Sequence, residues 1–537
     1  MRATNSSFHF ILLLSLFASY VSHADTATPV ALACTGTVFI DRDKDGLRDK
    51  REQGLPNVSV SDGESIVRTD KRGRYVLDAK PARSVFMIKP AGYVAATRAD
   101  GLPDTWINLQ PEAGPKLRYG GVPPSATGGC RDFALRAAPK AGSPALDVLV
   151  FGDPQLKSMV DADYYARDIV APLQGKPAAR LGITLGDLVN DDLSLFPALK
   201  ATDARLGLPW LHAPGNHDID FDAPRDEESL DSFRHAFGPD TYAWEEAQAN
   251  FVVLDDVIYL PDQQPQYIGG LRESQFTFLQ SYLATAPKDR LLVLSMHIHL
   301  YDAVPGVETF RKADRERLFA LLKPFPNVLV LSAHSHKQLH VFHDAATGWH
   351  GATPLHEYNV GAACGTYWTG VKDAEGIPAA TMNDGTPNGY ARLRVENGQA
   401  DLRWFAARAP LDYQINLHGP KVLRRGEWPG IGLYANVFMG HADTLVEMRI
   451  DEGPWKPMKR VLQADPAMLE QNLLDDAAGQ LRGHDRAPEA VPSTHLWRLS
   501  LPTDLEPGTH KVQVRAVLEG YGEARAETTY RLDVVAP

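Results

Sequence analysis

The 537-residue chain reads as a central α/β domain between two small β-rich domains, and three observations predict this. Near the start, short alternating runs ("TGTVFIDRD", "NVSVSDG", "RGRYVLDAK", "SVFMIKPAGY") are punctuated by Gly and Pro, the pattern of a small β-sandwich. In the middle, continuous apolar runs at 148–151, 181–185, 251–254, 291–295 and 328–331 alternate with helix-like segments such as "RESQFTFLQSYLA" and "RKADRERLFALL". Continuous apolar strands between helices predict sheet covered on both faces. After about residue 409 strand patterns return ("IGLYANVFM", "LVEMRID", "HLWRLSLP", "HKVQVRAVLE"), interrupted by a polar stretch at 464–492.

Residues 1–24 have the layout of a secretory signal peptide: Arg2, an apolar stretch from Phe10 to Val21, and Ser22-His23-Ala24 before the cut. That stretch falls short of the roughly 20 residues a spanning helix needs, and no later segment supplies a transmembrane span. Lipoprotein anchoring through Cys34 is disfavoured, because the cysteine lies too far past the apolar stretch. The expected location is therefore the periplasm or the outside of the cell. Cleavage leaves 513 residues, about three domains at roughly 100–200 residues each. We place an N-terminal β-sandwich at 25–138, a linker at 139–145 ("PKAGSPA"), the α/β domain at 146–408, and a C-terminal β-sandwich at 409–537.

The formal charge of −12 makes the chain a poor non-specific partner for nucleic acid, and no nucleic-acid-binding surface is evident. An anionic substrate would need a local positive centre such as metal ions. Export permits disulfides, and Cys34 and Cys130 bracket the first segment and could pair. Cys364 is left over, and is expected to be a small buried packing residue.

Five clusters follow in order: "FGDPQ" (Asp153, Gln155), "LGDLVND" (Asp187), "PGNHD" (Asn216, His217, Asp218), "SMHIH" (His297) and "SAHSH" (His334, His336). Four directly follow an apolar strand-like run, so carboxylates, amide oxygens and imidazoles would share the rim of one sheet, where open α/β sheets place their chemistry. Singly, each is an ordinary turn or a hydrogen-bonded histidine.

The order D-x-[H/Q], G-D, G-N-H-D, H and [G/S]-x-H-x-H, over roughly 146–408, is similar to the calcineurin-like metallophosphoesterase superfamily. The flanks resemble a bacterial subset with an immunoglobulin-like N-terminal domain and a further C-terminal domain. The resemblance implies a layered α/β/β/α sandwich with two divalent metals at one edge. Asp153, Gln155, Asp187 and His336 would hold one metal, and Asp187 as a bridge, Asn216, His297 and His334 the other. A metal-bridging hydroxide would attack a phosphate ester in line, in a phosphatase or phosphodiesterase reaction. The resemblance also implies that His217 contacts the phosphate and protonates or stabilises the leaving oxygen. Asp218 would orient that imidazole, or serve as a turn residue.

Glutamine at position 155, where relatives often carry histidine, supplies a neutral oxygen donor. It should shift the Asp153 site from Zn²⁺ or Fe towards Mn²⁺ or Mg²⁺. Family spacing favours His297 over His299. Asp191 and Asp192 read as loop-surface carboxylates, and His340, His343, His350 and His356 as surface or packing residues. His356, Tyr367 and Trp368 are candidates for the cleft wall. Arg225 and Arg234 are candidate phosphate clamps that could equally pair with nearby acids.

A second metal signature, "DRDKDGLRDKRE", sets Asp41, Asp43, Asp45, Leu47, Asp49 and Glu52 at positions 1, 3, 5, 7, 9 and 12 of a Ca²⁺ loop, with Gly46 at position 6. It follows a strand rather than a helix and resembles the Ca²⁺-stabilised repeats of bacterial surface adhesins, so a structural ion is expected. The reading of a different class is a non-catalytic, Ca²⁺-stabilised envelope or cell-surface binding protein that reuses the central fold as scaffold. Filled ligand and acid positions favour the hydrolase.

Overall fold

The computed structural model describes residues 32–534 except 126–129, 140–142, 177–178, 305, 429 and 431. The expected signal peptide lies outside the described residues.

Two sheets form the centre. One has five strands in the order Trp210–Ala213, Leu181–Leu185, Leu146–Phe151, Gly389–Glu396 and Gln399–Ala406. The other has six, ordered Tyr242–Glu245, Ala249–Val253, Leu291–Ser295, Val328–Ser332, Leu355–Asn359 and Leu339–His343. Side chains alternate along the six-stranded sheet as a period of two requires. Phe251, Val253, Val293, Leu329 and Leu331 join the core shared with the five-stranded sheet. Val252, Leu292, Leu294 and Val330 face Phe276, Leu279, Leu318 and Leu322 of helices Glu273–Leu283 and Lys312–Leu322. Ile169, Phe196 and Leu199 on the far side of the five-stranded sheet complete an α/β/β/α layering.

Parallel pairing decides where the connecting loops gather. Leu181–Leu185 runs parallel to both Leu146–Phe151 and Trp210–Ala213. Ala249–Val253, Leu291–Ser295, Val328–Ser332 and Leu355–Asn359 are likewise parallel to one another. Strands in this register end together, so the loops after them meet at one edge of the molecule.

On the N-terminal side two four-stranded sheets face each other around Val38, Val60, Leu77, Val85, Phe133 and Leu135. Cys34 and Cys130 are joined as a disulfide, Cα to Cα 5.1 Å. On the C-terminal side sheets of four and five strands are accompanied by a helix, Pro466–Asp476, inside the polar stretch. Asp465 caps that helix by accepting the N–H groups of Ala467 and Met468.

Both flanks are wedged against the centre. Lys89, 1% exposed, donates to Glu246 at 2.6 Å and stands 5.0 Å from the Trp244 ring centroid. Phe86 meets Phe278 edge-on at 6.0 Å. On the other flank, Tyr358 donates to Gln338 at 2.6 Å and lies against the sulfur of Met439. Burial lowers the pKa of Lys89, and Glu246 works against that loss of charge. Breaking a buried pair strands the remaining charge, at a cost of about 3–5 kcal/mol, less when the survivor reaches solvent. Glu246 keeps 21% of its side chain exposed. Lys89→Ala is therefore expected to destabilise the N-terminal flank by about 2–3 kcal/mol. Denaturant unfolding followed by Trp fluorescence would show this, and Lys89→Met should lose less because it retains the apolar stem.

Candidate metal centre

Asp153, Asp187, Asn216, His297, His334 and His336 all emerge just beyond the C-terminal ends of five parallel strands. Many do so in an unusual backbone state. Asp153, Gln155, Asp187, His334 and His336 have φ of 39°, 41°, 48°, 70° and 50°, the left-handed region that side chains avoid. Each such residue costs on the order of 1–3 kcal/mol and persists only where its surroundings hold it. Two glycines make room for the cluster. A Cβ on Gly186 would lie 2.7 Å from the Nδ1 of His297, and one on Gly215 would lie 2.3 Å from the Oδ1 of Asp187.

Four of the expected ligands converge closely. Nε2 of His297 lies 3.1 Å from Oδ1 of Asn216, 3.2 Å from Nδ1 of His334 and 3.3 Å from Oδ1 of Asp187. Donors about 2.1 Å from a common cation stand roughly 3.0–3.5 Å apart, so these spacings fit one ion. Asp187, His297 and His334 alone already form a group able to hold a metal. The other expected set is looser. Nε2 of His336 lies 3.7 Å from Oδ1 of Asp153, and the Gln155 amide is 3.4 Å from Oδ2 of Asp187. The two oxygens of Asp187 thus face different sets, the arrangement a bridging carboxylate needs.

Hydrogen bonds aim these side chains. Nδ1 of His297 is 2.9 Å from the Leu185 carbonyl, and Nδ1 of His336 is 2.6 Å from that of Gly365, which leaves each Nε2 pointing inward. The His334 N–H donates to both oxygens of Asp153 at 3.3 Å. Cys364, buried as expected, sits 3.9 Å from Oε1 of Gln155 and 3.8 Å from Nδ1 of His336.

Burial drives the Asp153 carboxyl upward. It would do the same to Asp187, but His297 and His217 hold that carboxyl well below its ordinary range. Burial opposes charge on His297 as well, yet Asp187 and Asp153 raise it to about 10. Two carboxylates fully removed from water beside one protonated imidazole form a set that divalent cations satisfy better than a proton does. The donors present therefore fit metal.

His217 stands beside this set. Its N–H donates to Oδ1 of Asp187 at 2.9 Å, and Nδ1 lies 2.7 Å from Oδ1 of Asp191. The orienting carboxylate is thus Asp191, which sequence reasoning set aside as a surface residue. Asp218 does not touch the ring. It is fully buried and accepts the N–H groups of Leu188, Val189 and Gly215, tying the Asp187 loop to the Asn216 loop. Asp256 was also missed; it receives the His297 N–H at 3.1 Å. The signal for both was weak, since each is one of two adjacent loop acids (Asp191-Asp192, Asp255-Asp256) and nothing in the spacing says which one turns towards a histidine.

Other candidates separate clearly. Arg225 pairs with Glu228 on the surface, and Arg234 is buried against Asp231 and Asp240, so neither is free to clamp phosphate. His299 stacks on Tyr301 at 3.8 Å, with Nδ1 on that residue's carbonyl. His340 and His356 pair at 2.9 Å, His343 bonds Glu357, and His350 is exposed. Tyr367 lies 4.8 Å from the His336 ring, and Trp368 donates to the Pro154 carbonyl.

In the acidic loop Asp41, Asp43 and Asp45 come together as a possible cation group. Gly46 and Lys44 take φ of 75° and 70°. Glu52 instead accepts the N–H groups of Arg42 and Asp49, Asp49 accepts that of Arg51, and the Leu47 N–H donates to Asp45.

Comparison with known proteins supplies family context. Residues 42–119 match the family profile described as the N terminal of calcineurin-like phosphoesterase, and 357–524 the one described as its C terminal. A dimetal phosphatase from Danio rerio aligns at 14% identity with a TM-score of 0.34, over 49% of this chain and 96% of that one. A purple acid phosphatase from yellow lupin (Lupinus luteus) seeds aligns at 12% identity with a TM-score of 0.38, over 65% of this chain and 66% of that one. No curated protein matches in sequence. Fold, donor set and flanking profiles together define a metal-dependent phosphoester hydrolase. Both flanks of the chain are thus similar to the parts that border the catalytic domain in calcineurin-like phosphoesterases.

Burial lowers the pKa of His217, but Asp187 and Asp191 outweigh it and raise the ring to about 9. The imidazolium thus persists through neutral pH and is lost as pH rises past that value. Asp191→Asn removes one supporting charge, so the alkaline limb of the pH–kcat profile should move to lower pH. Turnover at neutral pH should fall by about 10- to 100-fold, within the usual span for general acid help, with metal content retained. Metal analysis beside the rate profile separates this from loss of the centre.

Proposed function

We propose that this is an exported, two-metal phosphoesterase. The observation that carries the reading is the set Asp187, Asn216, His297 and His334, the other three standing 3.1–3.3 Å from Nε2 of His297, with His217 alongside. Asp153, Gln155, Asp187 and His336 would hold one cation, and Asp187, Asn216, His297 and His334 the other. Two bound divalent cations supply Lewis-acid neutralisation of the phosphoryl group and water acidified enough to serve as nucleophile near neutral pH.

The chain's own groups do the rest. Asp187 keeps the two donor sets adjacent. Asp153 and His336 are fixed by backbone contacts, so the pocket needs little rearrangement when phosphate arrives. His217, held cationic by Asp187 and Asp191, faces the position a phosphoryl oxygen would take and gives its proton to the departing oxygen. Asp218 fixes the loops from which Asp187 and His217 project.

Export accords with the signal-like leader and with the Cys34–Cys130 disulfide, a bond favoured in oxidising compartments. The gathered Asp41, Asp43 and Asp45 support a structural Ca²⁺ that would relieve mutual repulsion in the N-terminal loop.

Gln155 directs the metal preference. An amide oxygen presented after a flip of the side chain suits Mn²⁺ or Mg²⁺ better than Zn²⁺. Stripped protein should regain phosphoester hydrolysis best with Mn²⁺, and Gln155→His should retain more Zn²⁺ or Fe through dialysis. Tightly held Zn²⁺ in the unmodified protein would contradict the metal assignment, and no turnover of any phosphoester by metal-loaded protein would contradict the hydrolase. For the acidic loop, millimolar Ca²⁺ should raise the melting temperature of the full chain by several degrees. Asp41→Ala with Asp45→Ala should abolish the rise.

A further inference from the structure

A cavity of ≈ 480 Å³ opens beside the donor set, on the side of Asp153 and His336. Its walls come from three stretches far apart in sequence. Lys157 and Tyr164 follow the Asp153 loop, Tyr367, Trp368 and Lys372 follow the Cys364 turn, and Leu481 reaches in from the C-terminal flank. Tyr367 is common to the cavity wall and the edge of the site, its ring 4.8 Å from that of His336.

The wall is built rather than incidental. Tyr367 and Trp368 occupy consecutive left-handed positions, φ 62° and 56°, a strained backbone that places both rings. Trp368 spends its one donor on the Pro154 carbonyl and is 4% exposed, so it backs the wall while Tyr367, 38% exposed, presents the open ring. Tyr164 packs 6.0 Å from it. The Lys157 ammonium stands 4.7 Å from the Tyr367 ring centroid, and that of Lys372 5.9 Å from Tyr164. Two acids share the lining: Asp161, which accepts the Lys157 N–H, and Asp485, whose carbonyl accepts the Gly370 N–H at 2.9 Å. The latter bond fastens the C-terminal loop to the aromatic one. Leu481, 96% exposed, stands at the rim with no apolar cover of its own.

Phosphate alone would leave most of this space empty, whereas pockets of about 300–1,000 Å³ take small organic ligands. Aromatic faces select flat or ring-shaped groups, and ammonium groups beside them add attraction for negative charge. We propose that this cavity binds the organic part of the phosphoester, and that the substrate class is a phosphorylated ring compound carrying a second negative charge, such as a nucleoside or sugar bisphosphate. The proposal rests on the metal-centre reading and adds substrate class to it. It also gives the C-terminal flank a part in specificity through Leu481.

The test uses the full chain loaded with Mn²⁺ and four substrates. Ethyl phosphate has neither ring nor second charge, phenyl phosphate has only the ring, and adenosine 3′,5′-bisphosphate and glucose 1,6-bisphosphate have both. At least one bisphosphate should exceed ethyl phosphate in kcat/KM by about 100-fold, through KM, and the two together distinguish a base from a sugar as the ring. Lys157→Ala with Lys372→Ala should cut the bisphosphate-to-phenyl-phosphate ratio at least tenfold. Tyr367→Leu and Leu481→Gly should cut the ratio of ring substrates to ethyl phosphate. Ratios within twofold of the unmodified protein in every variant would overturn the proposal and leave the hydrolase standing. Should the unmodified protein turn over none of the four, monoester hydrolysis is excluded, and equilibrium dialysis with adenosine 3′,5′-bisphosphate then judges the cavity. Retention that Lys157→Ala with Lys372→Ala abolishes supports it, and no retention overturns it.

Discussion

The buried carboxylate of Asp187 is the constraint around which the molecule is arranged. Its oxygens face two donor sets, its neighbours include a second buried acid, and almost no water reaches it. A charge in that position is tolerable only with cations beside it. The aligned strand ends supply the place, Gly186 and Gly215 supply the clearance, and backbone N–H groups donated to Asp218 and Asp153 fix the loops. The left-handed ligand positions depend on the same framework. Their strain is borne by two sheets whose cores are packed throughout.

Much of this was legible in the chain because its physics is local. Four apolar runs each followed by Asp or His announce strands that end in ligands, and the run 146–151 is buried at every residue as a doubly covered strand should be. The glutamine of Asp-Pro-Gln could be read as an oxygen donor from its chemistry alone. The partners of those ligands were not legible. Asp191 carries no periodic or spacing signal, and only the folded loops bring it to His217. Asp218, adjacent to that histidine in sequence, points instead into backbone, because neighbouring side chains diverge. Arg234 appeared available until burial showed it committed to two aspartates. Separations of 26–30 residues lie behind the first two outcomes and burial behind the third, and composition reports neither.

The flanking sandwiches are more than appendages. The N-terminal one is clamped through Lys89 and Phe86, and Tyr119 from its trailing segment donates to the carbonyl of Asp191, the residue that steadies His217. The C-terminal one reaches the opposite side. Nε2 of His495 lies 3.1 Å from Oδ2 of Asp384, which accepts the Gln338 N–H two residues beyond His336. Asn436 bonds the Asp384 carbonyl at 3.0 Å. Ligand geometry at the centre is thus supported from both ends of the chain.

The Asp384–His495 contact has a consequence for timing. His495 lies 111 residues after Asp384, so the loop bearing His334 and His336 receives this prop only once the C-terminal flank has been made. A chain emerging from its amino terminus can form the first sandwich and both central sheets while that loop still lacks its final brace. Full rigidity at the centre therefore arrives with the C-terminal flank, and a polypeptide cut short after the central sheets would keep the donor residues but hold them less firmly.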